Sequence, residues 1–233
     1  MLSIMAAVAL VVGIGGCRLG PRASQGDGSS PTSRAAGQPS AELQGPRVVF
    51  LGDSLTAGHG LDGRDAFPAV LGRELARKGL PIDVINAGVS GDTSDGGLAR
   101  LSWLLAQKPA ILVLELGAND GLRGLPTKST EANLRQIMEE TRKAGACVLL
   151  VGMKVPPSLG PDYAHRFDAI YPRLARELKV PLVPFLLAGV AGRPALNQAD
   201  GIHPTARGQE LAAGNVLPFL ERMVRNLPAC GPD

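Results

Sequence analysis

The sequence predicts an α/β domain with a five-stranded parallel sheet covered by helices on both faces. From Pro46 onward, short apolar runs alternate with longer amphipathic segments. The apolar runs are nearly continuous, which is typical of parallel strands that are buried on both sides. The first run, VVFL at 48–51, stops abruptly at glycine and small polar residues, as expected where a strand leaves a sheet. These observations together predict an α/β/α sandwich of three layers.

The elements follow one another regularly along the chain. We predict strands at 47–52, 82–86, 110–116, 146–152 and 180–184. We predict helices at 65–79, 94–107, 129–144, 163–178 and 207–225. Ser129 or Thr130 is the predicted N-cap of the third helix, and Gly145 is expected to end it.

The first 45 residues lie outside the predicted domain, which spans 46–228. Residues 1–16 carry no charged side chain, and the run is short for a bilayer span of about 20 residues, so it suits a secretory signal peptide. Its end, Ile14-Gly15-Gly16-Cys17, resembles a lipobox and predicts lipidation of Cys17, although no Lys or Arg precedes the apolar run. Residues 17–45, rich in Gly, Ser and Pro, predict a disordered tether. We therefore expect an exported protein, periplasmic or held at a membrane only by an N-terminal lipid.

Composition disfavours several other classes of function. A net charge of +3 and an aromatic content of 3% give no indication of a nucleic-acid-binding protein. The three cysteines, Cys17, Cys147 and Cys230, show neither metal-ligand spacing nor a CxxC motif. We expect no metal, no cofactor and no disulfide framework. Nothing in the sequence suggests an obligate interface, so a monomer is expected.

Polar clusters follow the predicted strands, where open α/β sheets bind their ligands. They are GDSLTAG at 52–58, NAGVSGDT at 86–93 and GANDG at 117–121, with DGIHP at 200–204 ahead of the last helix. These segments would bring a Ser, a Gly, an Asn and an Asp/His pair to one edge of the sheet. Acyl transfer needs such groups: a hydroxyl, a histidine base, a carboxylate that orients it, and fixed N–H donors for an oxyanion.

Three histidines could supply the base. His203 has Asp200 three residues earlier, and Pro204 stiffens the chain that follows. His165 falls in a predicted helix, where we expect it to be exposed. His59 is expected at the surface, with a position in the pocket wall as the alternative.

The four blocks resemble those of the SGNH (GDSL) hydrolases in order and rough spacing. The segments NAGVSGDTSDGGLARL, ELGANDGLRGLP, AIYPRLAREL and DGIHPTARG are most similar to the arylesterase branch, which includes acyl-CoA thioesterase/lysophospholipase L1-like members. The resemblance runs from about 47 to 225 and implies a flavodoxin-like SGNH hydrolase fold. The G-x-S-x-G elbow of α/β-hydrolases is missing.

The resemblance also implies a role for each matched residue. Ser54 matches the nucleophile and, through its N–H, one oxyanion donor. Gly91 and Asn119 match the second and third donors, through a backbone N–H and a side-chain amide. His203 matches the general base and Asp200 its orienting carboxylate. This predicts a serine esterase or thioesterase for acyl esters, which could include lysophospholipids.

Several alternatives stay open at this point. Gly88 could replace Gly91 as the donor, and sequence alone does not separate the two. Asp53 is expected to fix its loop; a flavodoxin-like receiver with Asp53 as phosphoacceptor, or a binding lipoprotein, is the non-enzymatic alternative. Glu115 is expected to be a buried structural carboxylate. A carbohydrate O-acetylesterase is the alternative enzyme.

Two long loops are the predicted walls of the substrate pocket. The first follows Asn119 directly and would contact the acyl chain through Leu122 and Leu125. The second spans 153–163. Both lie next to the predicted chemistry, where loops usually select the substrate.

Overall fold

The computed structural model describes residues 45–227. The predictions for the signal peptide 1–16, for Cys17 and for the tether up to residue 44 concern residues outside this range, as does Cys230.

The described residues form one parallel sheet of five strands. The strands are β1 (Arg47–Gly52), β2 (Asp83–Gly88), β3 (Ile111–Glu115), β4 (Cys147–Val151) and β5 (Leu182–Val183). They pair in the order β2-β1-β3-β4-β5, and every pair is parallel. The strands β3 and β4 are buried along their whole length, whereas the edge strand β2 is only partly buried. The predicted flavodoxin-like sheet is confirmed.

Helices cover both faces of the sheet. They are α1 (Ser54–Ala57), α2 (Phe67–Arg77), α3 (Ser94–Ala99), α4 (Leu101–Leu105), α5 (Ala118–Leu122), α6 (Thr127–Lys143), α7 (Pro161–Asp168), α8 (Ile170–Glu177) and α9 (Ala206–Arg225). The helices α2 and α9 pack together on one face, and α6 packs with α3 and α8 on the other. This confirms the predicted three layers. Within residues 45–227, no helix has both the length and the apolar character needed to cross a membrane.

Two predicted helices are interrupted in the structure. The segment predicted at 94–107 divides into α3 and α4 at Arg100, which takes a non-helical conformation and directs its side chain toward the ends of β1 and β2. The segment predicted at 163–178 divides at Ala169 into α7 and α8. The helix α7 begins earlier than predicted, at Pro161, whose fixed φ angle suits a first helical turn.

The predicted cap of α6 is wrong. The helix begins at Thr127, with Pro126 as N-cap and no side-chain capping bond. The N–H groups of Ser129 and Thr130 both donate to the Pro126 carbonyl, so the chain is already turning before either residue. The Thr130 hydroxyl instead donates to the buried Asp120 carboxylate.

The order of the strands determines where a site can form. The strand β1 lies between β2 and β3, so the chain leaves β1 and then β3 at neighbouring points of the carboxyl edge. Such a reversal of strand order opens the crevice in which doubly wound folds bind ligands. Phe50 and Leu51 of β1 are fully buried and hold this edge rigidly against the core.

Candidate active site

Ser54 begins α1 at the point where β1 ends. The turn is tight: a side chain on Gly52 would place its Cβ 1.9 Å from the Thr56 hydroxyl oxygen and 2.7 Å from Glu115 Oε2. Asp53 caps α1 by accepting a 2.9 Å hydrogen bond from the Leu55 N–H. The cap and the close packing fix the first helical turn, so the Ser54 hydroxyl has a defined place at the carboxyl edge.

The structure brings the predicted Ser, His and Asp into line. His203 Nε2 lies 2.9 Å from Ser54 Oγ, and His203 Nδ1 lies 2.6 Å from Asp200 Oδ2. The other carboxylate oxygen, Asp200 Oδ1, accepts the backbone N–H groups of Ile202 and His203 at 2.9 and 3.0 Å. The bond from the His203 ring and these two backbone bonds hold the pKa of Asp200 well below its usual range. An ionised Asp200 only accepts, so Nδ1 carries the ring hydrogen and Nε2 is left as an acceptor facing Ser54.

The structure of the loop after β2 distinguishes between Gly88 and Gly91, the two candidate backbone donors that the sequence alone did not separate. The Gly88 N–H donates to Asn86 Oδ1 at 3.0 Å, and a Cβ on Gly88 would lie 2.2 Å from the Ala57 nitrogen. Gly88 therefore allows β2 to approach α1 closely. Gly91 has a φ of 81°, which favours glycine, and its N–H has no acceptor within residues 45–227. This arrangement favours Gly91 over Gly88 as a donor to a ligand.

Asn119 lies in α5, directly after β3, and lines the same crevice. Its amide nitrogen donates to the Asp92 carbonyl at 2.9 Å and to Asp53 Oδ2 at 3.2 Å. The amide is therefore held on two sides, by the loop after β2 and by the residue before Ser54. To serve as a donor for a substrate oxygen, Asn119 would share one of these two N–H groups.

Asp53 and Glu115 form a buried carboxyl pair beneath Ser54. Burial raises the pKa of Asp53 to about 6. Burial, reinforced by the nearby Asp53, raises the pKa of Glu115 well above its usual range. Glu115 Oε2 accepts from the Thr56 hydroxyl at 2.7 Å, which agrees with the structural role expected for Glu115. Asp53 is 1% exposed, and both of its carboxylate oxygens accept hydrogen bonds, from the Leu55 N–H and from the Asn119 amide. This geometry does not favour Asp53 as a phosphoacceptor.

Gln198 connects the loops that carry Ser54 and His203, a role that was not predicted from the sequence. Its Nε2 donates to the His59 carbonyl at 2.7 Å and to the Pro204 carbonyl at 3.0 Å. Its backbone N–H donates to the His203 carbonyl at 2.7 Å. His59, in turn, packs its ring against the His203 ring at a centroid separation of 4.5 Å. His59 is exposed, as expected, but it also touches the site.

Arg100 and Gln209 fix the surroundings of Ser54 and were likewise missed. Arg100 donates to the Gly52 and Ala87 carbonyls and forms an ion pair with Asp92, so it links the ends of β1 and β2. Gln209 is buried and donates to the Leu55 carbonyl at 3.0 Å. Arg100 is the only charged side chain between Asp95 and Lys108, and this isolation could have pointed to it; Gln209 lies between Arg207 and Glu210 and carries no such signal.

A cavity of about 430 Å³ opens beside Ser54 and is largely apolar. Its apolar lining comes from Leu55, Ala118, Leu122, Met153, Pro156, Phe185, Leu187, Ala191 and Ile202. Leu122 thus lies where the sequence placed it, and the loop at 153–163 contributes Met153, Lys154 and Pro156. Leu125 is not among the lining residues; its carbonyl accepts the Tyr163 hydroxyl, which turns this part of the loop toward α7.

The remaining candidate residues lie apart from the crevice. His165 is exposed on α7, and Cys147 is buried in β4. In the part of the chain that the structure describes, no three His, Cys, Asp or Glu side chains are grouped so that they could hold a metal ion.

The sequence and structure match proteins of one family. Residues 50–211 match the model of the GDSL-like lipase/acylhydrolase family. The chain is 45% identical over 178 residues to an esterase, TesA, of Pseudomonas aeruginosa, covering 76% of this chain and 89% of that protein. It is 42% identical over 180 residues to thioesterase 1/protease 1/lysophospholipase L1 of Escherichia coli, covering 77% and 85%.

A solved structure shares the fold and a third of the sequence. The esterase EstA of a Pseudoalteromonas species, in a form inhibited by monoethylphosphonate, superposes with a TM-score of 0.73 and 32% identity, covering 78% of this chain and all of that one. The family match spans most of the described domain and includes the segments that carry Ser54, Gly91, Asn119 and His203. The chain therefore belongs to the GDSL-like lipase/acylhydrolase family.

Proposed function

We propose that the protein is a serine hydrolase of acyl esters and thioesters, with Ser54 as nucleophile, His203 as general base and Asp200 as the carboxylate that orients His203. The observation that carries the proposal is the line from Ser54 Oγ through the His203 ring to Asp200, with contacts of 2.9 and 2.6 Å. A hydroxyl placed against the acceptor nitrogen of a tautomerically fixed imidazole is the arrangement that activates serine for attack.

The first half of the reaction forms an acyl-enzyme. Ser54 Oγ attacks the carbonyl carbon as its proton passes to His203 Nε2, and Asp200 stabilises the resulting imidazolium. The carbonyl oxygen becomes an oxyanion, for which we propose three donors: the N–H groups of Ser54 and Gly91 and the Asn119 amide. The tetrahedral intermediate collapses when His203 returns the proton to the leaving oxygen or sulfur. Water then attacks the acyl-enzyme by the same route, with His203 again taking the proton and returning it to Ser54.

The substrate class follows from the cavity next to Ser54. Its apolar wall suits a hydrocarbon chain, and its volume of about 430 Å³ lies within the range of small-molecule sites. The similar proteins are named as an esterase and as a thioesterase and lysophospholipase, which supports acyl substrates with different leaving groups. We propose small to medium acyl chains, with aryl esters, thioesters and lysophospholipids as the esters to be tested.

The proposal is tested with p-nitrophenyl esters of increasing chain length. The wild-type protein should hydrolyse them without added metal, and Ser54→Ala should lose that activity. Ser102→Ala, an exposed serine on α4, is the matched control and should retain it. Hydrolysis by Ser54→Ala at the wild-type rate would overturn the proposal.

We propose in addition that the protein is exported and that Cys17 is lipidated. Only the sequence at 1–17 supports this, through its uncharged apolar run and the lipobox-like end. In a bacterial host fed a labelled fatty acid, the wild-type chain should take up label and Cys17→Ser should not. Equal labelling of the two chains, or no labelling of either, would contradict lipidation at Cys17.

A further inference from the structure

His59 is an exposed histidine that the proposed reaction does not use, yet its ring lies against the proposed general base. The ring centroids of His59 and His203 are 4.5 Å apart, and the two ring planes are inclined by 42°. This separation is that of aromatic rings in direct contact. His59 is not among the residues that line the cavity, so it contacts the His203 ring from outside the acyl site. The side chain of His203 is only 19% exposed, although it belongs to a surface loop.

The main chain holds His59 in place on both sides. Its N–H donates to the Ser54 carbonyl at 3.0 Å, and its carbonyl accepts from Gln198 Nε2 at 2.7 Å. Gly58 and Gly60, which flank it, have φ angles of 74° and 76°, a conformation that favours glycine. A Cβ on Gly60 would lie 2.5 Å from Gln198 Oε1, so this turn packs closely on Gln198. The backbone of His59 is therefore fixed, although its side chain is exposed.

A contact with the loop after β2 restrains the His59 ring itself. Its Nδ1 lies 3.3 Å from the Ser90 hydroxyl oxygen, within hydrogen-bond range. Ser90 directly precedes Gly91, the proposed oxyanion donor. The ring of His59 is thus held between this loop and His203, and its backbone is bonded to the Ser54 carbonyl. One residue contacts the three segments that carry the proposed nucleophile, the base and an oxyanion donor.

His203 has to keep its orientation while it takes and returns a proton. Its Nδ1 contacts Asp200 at 2.6 Å, and its Nε2 contacts the Ser54 hydroxyl at 2.9 Å. Both contacts lie at the edge of the imidazole, and neither fills the space against its face. A ring packed there limits tilting, and even a small misplacement of a catalytic group slows a reaction strongly. The contact with His59 therefore affects proton transfer rather than the binding of the acyl chain.

We infer that His59 is a positioning residue, whose ring packs on His203 and keeps the imidazole in line with Ser54. This inference rests on the proposed function, because it requires that His203 takes the proton of Ser54. His59 acts through His203 and not on the substrate, and Ser90 restrains the His59 ring. The role needs a packed ring and no charge, so another planar ring at position 59 should fulfil it.

Substitutions at position 59 test the packing. His59→Ala should lower kcat for a dissolved p-nitrophenyl ester by about tenfold, because the imidazole of His203 loses its restraint. KM and the melting temperature should stay close to wild type, because His59 is exposed and does not line the cavity. His59→Phe keeps a planar ring and should recover most of the lost kcat. His165→Ala removes an exposed histidine of α7 and is the matched control, with wild-type kcat expected. Wild-type kcat in His59→Ala, or equal losses in the Ala and Phe variants, would overturn the inference.

A double-mutant cycle tests whether Ser90 acts through the same ring. Ser90→Ala should lower kcat by about two- to fivefold in the wild-type background, because one hydrogen bond to the His59 ring is lost. In the His59→Ala background the same change should have almost no further effect, since residues that act through one contact are not additive. Equal effects in the two backgrounds would overturn the restraint of His59 by Ser90.

Labelling with a fluorophosphonate separates this inference from the proposed function, because it follows the reactivity of Ser54 without an acyl chain. The label should react with His59→Ala about tenfold more slowly than with wild type, in step with kcat. A wild-type protein that neither cleaves esters nor takes up the label would refute the proposed function. An active wild-type protein that is labelled no faster than His59→Ala would refute only the role of His59.

Discussion

Asp200→Asn should abolish most of the activity while leaving the fold intact. Asp200 accepts two backbone hydrogen bonds through Oδ1 and one from the His203 ring through Oδ2. Asparagine can keep the first two, because its carbonyl oxygen still accepts. Its NH₂ group would replace Oδ2 and face Nδ1–H, so the ring must move its hydrogen to Nε2. That nitrogen, 2.9 Å from Ser54 Oγ, could then no longer take the serine proton.

The expected size of this loss is about 10⁴-fold in kcat, the effect of the same exchange in a serine protease triad. KM should change little, because Asp200 does not line the cavity. The assay is steady-state hydrolysis of a short p-nitrophenyl ester, with the melting temperature measured in parallel. Asp162→Asn is a matched control, because Asp162 also stands three residues before a histidine, His165, but on the exposed side of α7. A loss of less than tenfold in Asp200→Asn would refute the role assigned to Asp200.

Three further predictions concern the pocket, the buried carboxyl pair and the loop connection. Leu122→Ala should lower kcat/KM for longer acyl chains by about 3- to 10-fold relative to acetyl esters, because a pocket contact of one or two methylenes is lost, while Leu125→Ala should leave the chain-length profile unchanged. Burial raises the pKa of Glu115 above its ordinary value of 4.5, so the folded protein keeps the Glu115 carboxyl protonated at pH values where the unfolded chain has lost that proton. The stability of the wild-type protein therefore falls as the pH rises above about 4.5. Glu115→Gln should therefore gain stability relative to wild type between about pH 5 and pH 7, by up to about 1.4 kcal/mol per pH unit, and urea unfolding that shows a constant difference would contradict this. Gln198→Ala should lose about 1–3 kcal/mol of stability and lower kcat, since it removes two hydrogen bonds that hold the His59 and His203 loops together; an unchanged kcat would show that the connection does not position His203.

The sheet could be predicted from the sequence because its central strands are nearly continuous apolar runs. A strand with one face in solvent would instead alternate apolar and polar residues. Runs such as ILVLE and CVLLV are buried throughout, and nearly continuous apolar runs are typical of parallel strands. The helix boundaries were harder to predict from the sequence, because they depend on contacts with other elements. Arg100 ends α3 by reaching the carbonyls of Gly52 and Ala87, which no local pattern reveals.

The Ser/His/Asp line could be anticipated only from several segments together. The spacing Asp-x-x-His occurs at 162–165 as well as at 200–203. Only at the second place does Gly201, with a φ of 71°, fold the chain so that one carboxylate reaches two backbone N–H groups and the ring of His203. The connections through Gln198 and Gln209 join residues more than a hundred positions apart and required the three-dimensional arrangement.

The central claim is that Ser54 is the nucleophile, and covalent labelling tests it most directly. A fluorophosphonate should form a bond between its phosphorus and Ser54 Oγ with release of fluoride. Mass spectrometry of the digested protein should then find one adduct, on the peptide that contains Ser54. His203→Ala should slow the labelling strongly, and Ser54→Ala should prevent it. An adduct on another residue, or an active protein that takes up no label, would contradict the account.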